Sequence, residues 1–79
     1  MNKDYEALAQ IAYNEVLKTM QEGEQDHGEE GWKGQDVYQH ACHAWQHIND
    51  FYVDDKAEDH IAHTMTRCAM IRWLENDKR

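Results

Sequence analysis

Five histidines lie within residues 36–67, in a stretch that reads DVYQHACHAWQHINDFYVDDKAEDHIAHTMTR. His43 and His47 are four residues apart, and a second histidine pair with a three-residue spacing begins at His60. Side chains at those separations face the same way on an α-helix, so each pair could chelate one ion. Imidazole suits Zn²⁺, and carboxylates such as that of Asp59 extend the choice to Mn²⁺ or Mg²⁺. The spacing therefore predicts a divalent-metal site formed by His43, His47, Asp59 and His60.

The same histidines also have a purely structural interpretation. Successive residues of a helix are about 100° apart, and on that wheel His40, His43 and His47 lie along one flank of an apolar face. We therefore expect this polar stripe to border the core without occupying its centre. His40, His43 and His63 would then be boundary residues that are hydrogen-bonded to carboxylates. Metal binding and boundary packing both remain open.

A second kind of chemistry is the binding of a ligand with phosphate and ring groups. Arg67 shares a helical stripe with His63, and its planar guanidinium suits bidentate binding of a phosphate. Trp32 lies among glycines, where it either anchors the surrounding loop or stacks on a ligand's ring. Trp32, His63 and Arg67 are therefore the candidate ligand-binding residues. The competing interpretation of Arg67 is a salt bridge, for which the candidate acids are Glu24, Asp36 and Asp50.

Nucleophilic catalysis has little support in the sequence. There is no serine, and Cys42 and His43 cannot form a dyad because neighbouring helical residues point about 100° apart. A hydrolase that uses carboxylates and a metal is the enzyme class that the composition favours. Cys42 and Cys68 both fall in predicted helices with no signal-like sequence before them, which indicates reduced core thiols in a cytosolic protein.

The charge balance limits the kinds of partner. Sixteen acidic residues against eight Lys and Arg give a formal net charge of −8. That balance disfavours direct contact with a nucleic-acid backbone, because such contact needs clustered cations. The acidity fits a soluble surface, a carboxylate-rich metal site, or a mimic of nucleic acid offered to a basic host protein. No apolar run approaches the roughly 20 residues that span a bilayer, so no membrane segment is expected.

The elements that must position these residues are helices. Apolar residues recur at three- and four-residue steps over 4–22 and 36–52, and a third helix is expected over 57–75. The intervening loop, 23–35, contains all four glycines, and Gly23 is expected to end the first helix. The 79 residues are predicted to form one all-α domain. It would be a three-helix bundle with a long N-terminal helix, a glycine- and acid-rich loop, and a helical hairpin.

Local signals indicate where the hairpin helices begin and which faces pack. Asp36 followed by Gln39 resembles a capping box, and Asp55 followed by Glu58 repeats the pattern. The third helix has two faces that do not resemble a solvated surface, so it is expected to be central or to contact a second subunit. A homo-oligomer would complete the limited core of so small a chain. The apolar face of the second helix is expected to face the core and consists of Val37, Ala41, Ala44, Trp45, Ile48, Phe51 and Tyr52.

Two segments, GWKGQDVYQHACHAWQHINDF and EDHIAHTMTRCAM, resemble a small phage family, the dATP/dGTP diphosphohydrolase N-terminal domain, also known as a domain of unknown function. The family pattern is a glycine-rich stretch ending in tryptophan, a helix with a histidine, and a helix that opens with a DHLAH-like sequence. The resemblance covers about residues 20–75, and implies an all-α fold, a phage origin and recognition of a purine nucleotide. The matching residues are Gly23, Gly28, Trp32, His43 (or His40), Asp59, His60, His63 and Arg67.

The chain departs from the motif of the MazG-type pyrophosphatases, to which that family name points. Those all-α enzymes typically carry an EExxE motif and a later ExxD, whose carboxylates hold Mg²⁺ against the triphosphate. Here Glu29 and Glu30 are followed by Gly31 and Trp32, and no ExxD follows on the third helix. The full catalytic motif is therefore missing, and the resemblance leaves open whether the chain is an enzyme.

Three functions fit these observations. The first is binding of a nucleotide or a divalent metal (Mg²⁺, Mn²⁺ or Zn²⁺) through the His/Asp/Arg cluster, in a protein related to dNTP diphosphohydrolases. The second is that of an acidic phage accessory protein with an anti-defence role, which binds and inhibits a host protein. The third is that of a symmetric oligomer that sequesters a nucleotide messenger at its interfaces. In each case the expected location is cytoplasmic, which means the host cytoplasm if the protein is encoded by a phage.

Overall fold

A computed structural model describes residues 2–28 and 30–77 of the chain. Its elements are α1 (Lys3–His27), a short 3₁₀ helix (Gly31–Gly34), α2 (Val37–Tyr52) and α3 (His60–Asp77). No strand occurs among the described residues. The predicted all-α fold, a long N-terminal helix followed by a helical hairpin, is confirmed. None of the helices in the described ranges is both long and apolar enough to cross a lipid bilayer.

The first helix is longer than the sequence pattern predicted. The Asn2 side chain caps its start by accepting a hydrogen bond from the Asp4 backbone N–H at 2.7 Å. The helix then continues through Gly23 and ends at Gly28, whose N–H donates to the Glu24 carbonyl at 3.0 Å. Gly28 has φ +82° and ψ 163°, a conformation that is essentially restricted to glycine. The prediction that Gly23 ends the helix is wrong, because the backbone of Gly28 makes the turn instead.

The two glycines give a matched pair of substitutions with opposite expected effects. Gly23→Ala is expected to raise the free energy of unfolding by about 0.5–1 kcal/mol, because alanine is the better helix former and no atom lies within 4 Å of the added Cβ. Gly28→Ala is expected to lower it by about 1–3 kcal/mol through backbone strain alone, since that site is equally open. Urea unfolding followed by circular dichroism measures both. Shifts of the same sign would contradict this account of the helix end.

The predicted capping box at the start of α2 is confirmed. Asp36 Oδ1 accepts from the Gln39 backbone N–H at 2.9 Å, and Gln39 Oε1 accepts from the Asp36 backbone N–H at 2.8 Å. The predicted second cap, at Asp55, is wrong. The third helix begins at His60, and the Asp59 carboxylate caps it by accepting from the Ala62 backbone N–H at 3.1 Å.

The core lies between α3 and the two other helices, because α3 packs against both α1 and α2. The predicted central position of α3 is thereby confirmed. The chain interior is small and partly polar, since the buried residues of the described ranges are Ala44, Ala62 and Leu74 together with His40, His60 and Thr66. His40 and His60 therefore occupy the core. The prediction that the stripe of His40, His43 and His47 only borders the core is wrong for His40. Cys42 and Cys68, predicted to be core thiols, are free and exposed.

The large residues of the apolar face of α2 point away from the rest of the chain. Tyr38, Trp45 and Tyr52 recur at seven-residue spacing and are 79%, 68% and 85% exposed. We call these three residues the aromatic stripe. Ile48 beside it is also exposed, whereas Ala44, at the edge of the predicted apolar face, is buried. The prediction that this face meets the core of its own chain is therefore confirmed for Ala44 and wrong for its large residues. The histidine side of α2 turns inward instead, because its imidazoles find hydrogen-bonding partners on the 3₁₀ helix and on α3.

Candidate functional site

An arginine and a buried histidine form the centre of a hydrogen-bonded network between α2 and α3. Arg67 Nη1 lies 2.7 Å from Gln35 Oε1 and 2.9 Å from His40 Nδ1. Because a guanidinium only donates, His40 Nδ1 must accept. The His40 ring proton then resides on Nε2, which donates to the Trp32 carbonyl at 2.8 Å. The network fixes the tautomer of a fully buried imidazole and holds the guanidinium in place.

The charge of Arg67 has no carboxylate partner among the described residues, whose ion pairs all involve other cations. The predicted salt bridge to Glu24, Asp36 or Asp50 is therefore wrong. Burial lowers the pKa of the Arg67 guanidinium, but arginine remains charged at neutral pH. A half-buried cation whose hydrogen-bonding partners are neutral retains its attraction for an anion.

A cavity of about 760 Å³ opens beside this arginine. The C-terminal part of α1 forms one wall, and Trp32 and Gln35 form another. The remaining wall is formed by α2 and α3, through His43, His63, Thr66, Arg67 and Met70. The three predicted ligand-binding residues, Trp32, His63 and Arg67, thus line one cavity, and their role in binding stays a prediction.

The two sides of the cavity carry opposite charge. Glu22, Glu24 and Asp26 line the α1 side, facing the wall that contains Arg67. The pKa of His43 on that wall is lowered, first by burial and then by the neighbouring charge of Arg67. The lowered pKa favours the neutral form of His43, in which one ring nitrogen can accept a proton or bind a metal. The arrangement suits a ligand that is itself both anionic and cationic, such as a metal–phosphate complex.

Trp32 anchors the segment between α1 and α2. Its ring packs edge-on against Trp73 of α3 with ring centroids 5.1 Å apart, and its carbonyl accepts the His40 hydrogen bond. The Lys33 ammonium lies 4.7 Å from the Trp73 ring centroid, which adds a cation–π contact. The anchoring interpretation of Trp32 is thus confirmed. Its half-buried ring also lines the cavity, so a ligand's ring can still stack on it.

The second histidine network joins the two arms of the hairpin. His60 Nε2 lies 2.7 Å from Asp55 Oδ2, and His60 Nδ1 lies 2.9 Å from His47 Nδ1. A carboxylate only accepts, so neutral His60 carries its proton on Nε2 and accepts at Nδ1. His47 must then donate from Nδ1, which leaves its Nε2 with a free lone pair. The pKa of His47 is lowered, mainly by burial and secondly by His63, which favours the neutral ring.

Two groups of side chains bring possible metal-ligating atoms together. In the group of His47, Glu58 and His63, one such atom of each residue lies within 4.8 Å of the others. The same holds for the group of Asp50, Asp55 and His60. The His47 and His63 rings are close neighbours, with centroids 4.8 Å apart. Each group spans both arms of the hairpin and the turn between them.

The four predicted metal ligands do not form one of these groups. His47 and His60 fall in different groups, and His43 lies beside Arg67 and the cavity. Asp59 caps α3, so one of its oxygens already accepts the Ala62 N–H. A metal site formed by His43, His47, Asp59 and His60 stays a prediction, while the geometry brings Glu58 and His63 to His47.

Sequence reasoning missed the structural importance of Gln35 and Asp55, and it did not place the Glu58 carboxylate beside His47. Gln35 lies outside the helices, directly before the residue that caps α2, and belongs to no periodic pattern. Nothing in the sequence therefore links it to Arg67. Glu58 and Asp55 lie in the acidic turn, where charge is expected at any surface position. Glu58 directly precedes the Asp59–His60 pair, and that position identifies its carboxylate as a candidate ligand but not the histidines it would join.

Together these features define an all-α domain with a half-buried arginine in an open cavity and a histidine-rich hairpin beside it. The chain belongs to the family described as dATP/dGTP diphosphohydrolase, N-terminal, which it matches over residues 2–79. Searches among curated proteins and among solved structures gave no match. The family membership confirms the resemblance seen in the sequence and is consistent with a role related to a hydrolase.

Proposed function

We propose that this domain binds a purine deoxynucleoside triphosphate together with a divalent metal ion, in the cavity that contains Arg67. The observation that carries the proposal is a half-buried arginine held by Gln35 and His40, with no carboxylate partner among the described residues. A guanidinium positioned in this way can donate a pair of hydrogen bonds to phosphate oxygens. The family's name, dATP/dGTP diphosphohydrolase, supplies the nucleotide class.

The dimensions and lining of the cavity support a nucleotide. Its volume of about 760 Å³ falls within the 300–1,000 Å³ typical of small-molecule sites. Trp32 and Met70 supply apolar surface for a base, while Arg67 supplies donors for phosphate oxygens. The ring of Trp32 is held by Trp73, so a base could stack on it with little ordering of the protein.

The acidic wall of the cavity supports a metal ion as part of the ligand. A bare triphosphate would be repelled by Glu22, Glu24 and Asp26, which lie on the α1 side. A divalent cation between these carboxylates and the phosphates removes that repulsion, and Mg²⁺ or Mn²⁺ prefers such oxygen ligands. When bound, the ion would supply charge stabilisation for phosphoryl transfer. Hydrolysis to the monophosphate and pyrophosphate is the activity to test in this domain.

A binding experiment with all four deoxynucleoside triphosphates tests the proposal. We expect dATP and dGTP with Mg²⁺ or Mn²⁺ to raise the melting temperature, because a ligand that binds only the folded state stabilises it by mass action. dCTP and dTTP are expected to give smaller shifts. Isothermal titration calorimetry confirms stoichiometry, and ³¹P NMR of the same samples detects pyrophosphate. Absence of any shift or heat with every nucleotide–metal pair would reject the proposal.

The aromatic stripe of α2 supports assembly into a homo-oligomer. Tyr38, Trp45 and Tyr52 are exposed, and residues 37–49 carry no Asp, Glu, Lys or Arg. Depletion of charge with exposure of aromatic residues is typical of an interface core. A second copy of the chain fits this surface. If two α2 helices pack antiparallel about a two-fold axis at Trp45, Tyr38 of each copy lies against Tyr52 of the other. No unpaired charge would be buried at the centre of such a contact.

A homo-oligomer would also place two cavities in one particle. If the protein is encoded by a phage, as the resemblance implies, the assembly would act on the nucleotide pool of the host cytoplasm. The same geometry would allow retention of a nucleotide without hydrolysis. The ³¹P NMR arm of the binding experiment separates these two outcomes, because only hydrolysis produces pyrophosphate.

A further inference from the structure

The geometry points to a transition-metal site in the hairpin, formed by His47, Glu58 and His63. The site is selective for divalent ions that bind imidazole, such as Zn²⁺, Co²⁺ or Mn²⁺, over Mg²⁺. The site extends the proposed function, which requires only a divalent ion beside the phosphates. The role of the ion at the nucleotide rests on the proposed function. The binding of the ion to the hairpin does not depend on a nucleotide.

The first support is the spacing of the donor atoms. One donor atom from each of the three residues lies within 4.8 Å of the others. Around a tetrahedral ion with ligands at about 2.1 Å, donor atoms are about 3.4 Å apart. The separations therefore need to close from at most 4.8 Å to about 3.4 Å, which requires rotations of the His47 and His63 rings as well as of the half-exposed Glu58. The backbone of the hairpin can remain where it is.

The second, independent support is the set of hydrogen bonds behind the site. Metal-binding histidines typically donate their second ring N–H to another group, which fixes the tautomer and ring orientation. His47 does so through Nδ1 to His60, which is itself fixed by Asp55. His47 Nδ1 also lies 3.4 Å from Glu58 Oε1, but His60 occupies it, so the lone pair of His47 Nε2 is the one left for a metal. His63 forms no side-chain hydrogen bond with any described residue, so its ring is available as well.

The chemistry of the donor set decides the class of ion. Two imidazoles and one carboxylate suit zinc and other first-row transition metals, and leave positions for water or substrate oxygens. Mg²⁺ instead prefers carboxylates, water and phosphate oxygens. His63 also lines the cavity of Arg67. An ion held by this residue would therefore lie next to the proposed position of the phosphates.

The neighbouring group of Asp50, Asp55 and His60 is the weaker candidate. Both ring nitrogens of His60 are already engaged, one by Asp55 and the other by His47. His60 is also buried. An ion bound there would have to displace one of those hydrogen bonds inside the core. The structure therefore assigns this group to the support of His47.

Titration of the untagged full chain with Co²⁺ alone tests the site, with visible absorption reporting the ligand field and calorimetry reporting affinity. We expect one ion per chain, displaced by Zn²⁺ and not by Mg²⁺. Glu58→Gln and His63→Gln are each expected to weaken binding by at least about tenfold. Glu75→Gln is the matched control, because it makes the same change on a similarly exposed residue of α3, and it should bind as the unmodified protein does.

Any of four results would overturn the site. The first three are no Co²⁺ or Zn²⁺ binding by the folded protein, equal affinity for Mg²⁺, and unchanged binding by Glu58→Gln. Loss of the ion in His43→Gln with retention in His63→Gln would also overturn it, and would locate the ion at the histidines predicted from spacing. Because no nucleotide is present, failure of this titration leaves the nucleotide-binding test unaffected, and each proposal can fail separately.

Discussion

Replacing Arg67 with methionine is expected to abolish nucleotide binding. The substitution retains a long apolar stem but removes the guanidinium that we assign to the phosphates. Charge-assisted hydrogen bonds contribute about 1.5–3 kcal/mol each, so a lost bidentate pair corresponds to at least about a hundredfold weaker binding. Calorimetry with dGTP and Mg²⁺ measures the loss. Arg67→Lys keeps the charge without the planar fork, and it should bind with intermediate affinity.

Arg72→Met is the matched control for this experiment. Arg72 lies on the same helix, is exposed and pairs with Glu75 at 3.3 Å. Its loss should leave nucleotide binding unchanged, because exposed ion pairs contribute little. Arg67→Met also removes the partner of His40 Nδ1, so its melting temperature without ligand must be measured. Binding by a folded Arg67→Met protein with the affinity of the Arg72→Met control would contradict the proposed role.

Replacing Trp45 with glutamate is expected to dissociate the proposed oligomer. At an interface centred on Trp45, two copies would place two like charges against each other in a desolvated contact. Loss of a central tryptophan alone typically weakens association by about 2 kcal/mol or more, which is roughly a thirtyfold change in the dissociation constant. Light scattering coupled to size-exclusion chromatography measures the mass. The variant should elute at the mass of a single chain.

Gln46→Glu is the corresponding control. It introduces the same charge at the next residue of α2, which is exposed but lies off the aromatic stripe. This variant is expected to keep the mass of the unmodified protein. If the unmodified protein is itself monomeric at micromolar concentration, the stripe does not mediate self-association. If both variants dissociate, charge anywhere on α2 matters and the assignment to the stripe is wrong.

The number, order and type of the helices followed from the sequence. Apolar residues at three- and four-residue steps define helices because they bury one face per helix. The Asp36–Gln39 capping box could be predicted because its hydrogen bonds join residues three apart in the same turn. The family resemblance, and with it the purine-nucleotide hypothesis, also came from short contiguous motifs. All of these features depend on interactions that are local along the chain.

Which face of α2 turns inward was decided by the tertiary structure. Periodicity shows that α2 has an apolar and a histidine-bearing face, but not which of them its own chain covers. His40 is buried because Arg67, 27 residues away, and the Trp32 carbonyl satisfy both of its ring nitrogens. Burying an imidazole is unfavourable until such partners exist. The aromatic stripe is consequently left outside, and no local pattern along the chain indicates this.

The arrangement of the candidate metal ligands also depended on the tertiary structure. Spacing identified histidine pairs on each helix, but His47 meets Glu58 and His63 only because the hairpin turn closes at a particular register. That turn includes Asp54, whose positive φ of 66° ends α2 in a way that periodicity does not reveal. The sequence by itself thus determined which side chains are capable of metal and phosphate chemistry. Their grouping was decided by contacts between residues distant in sequence, because donor atoms must converge in space to bind one ion.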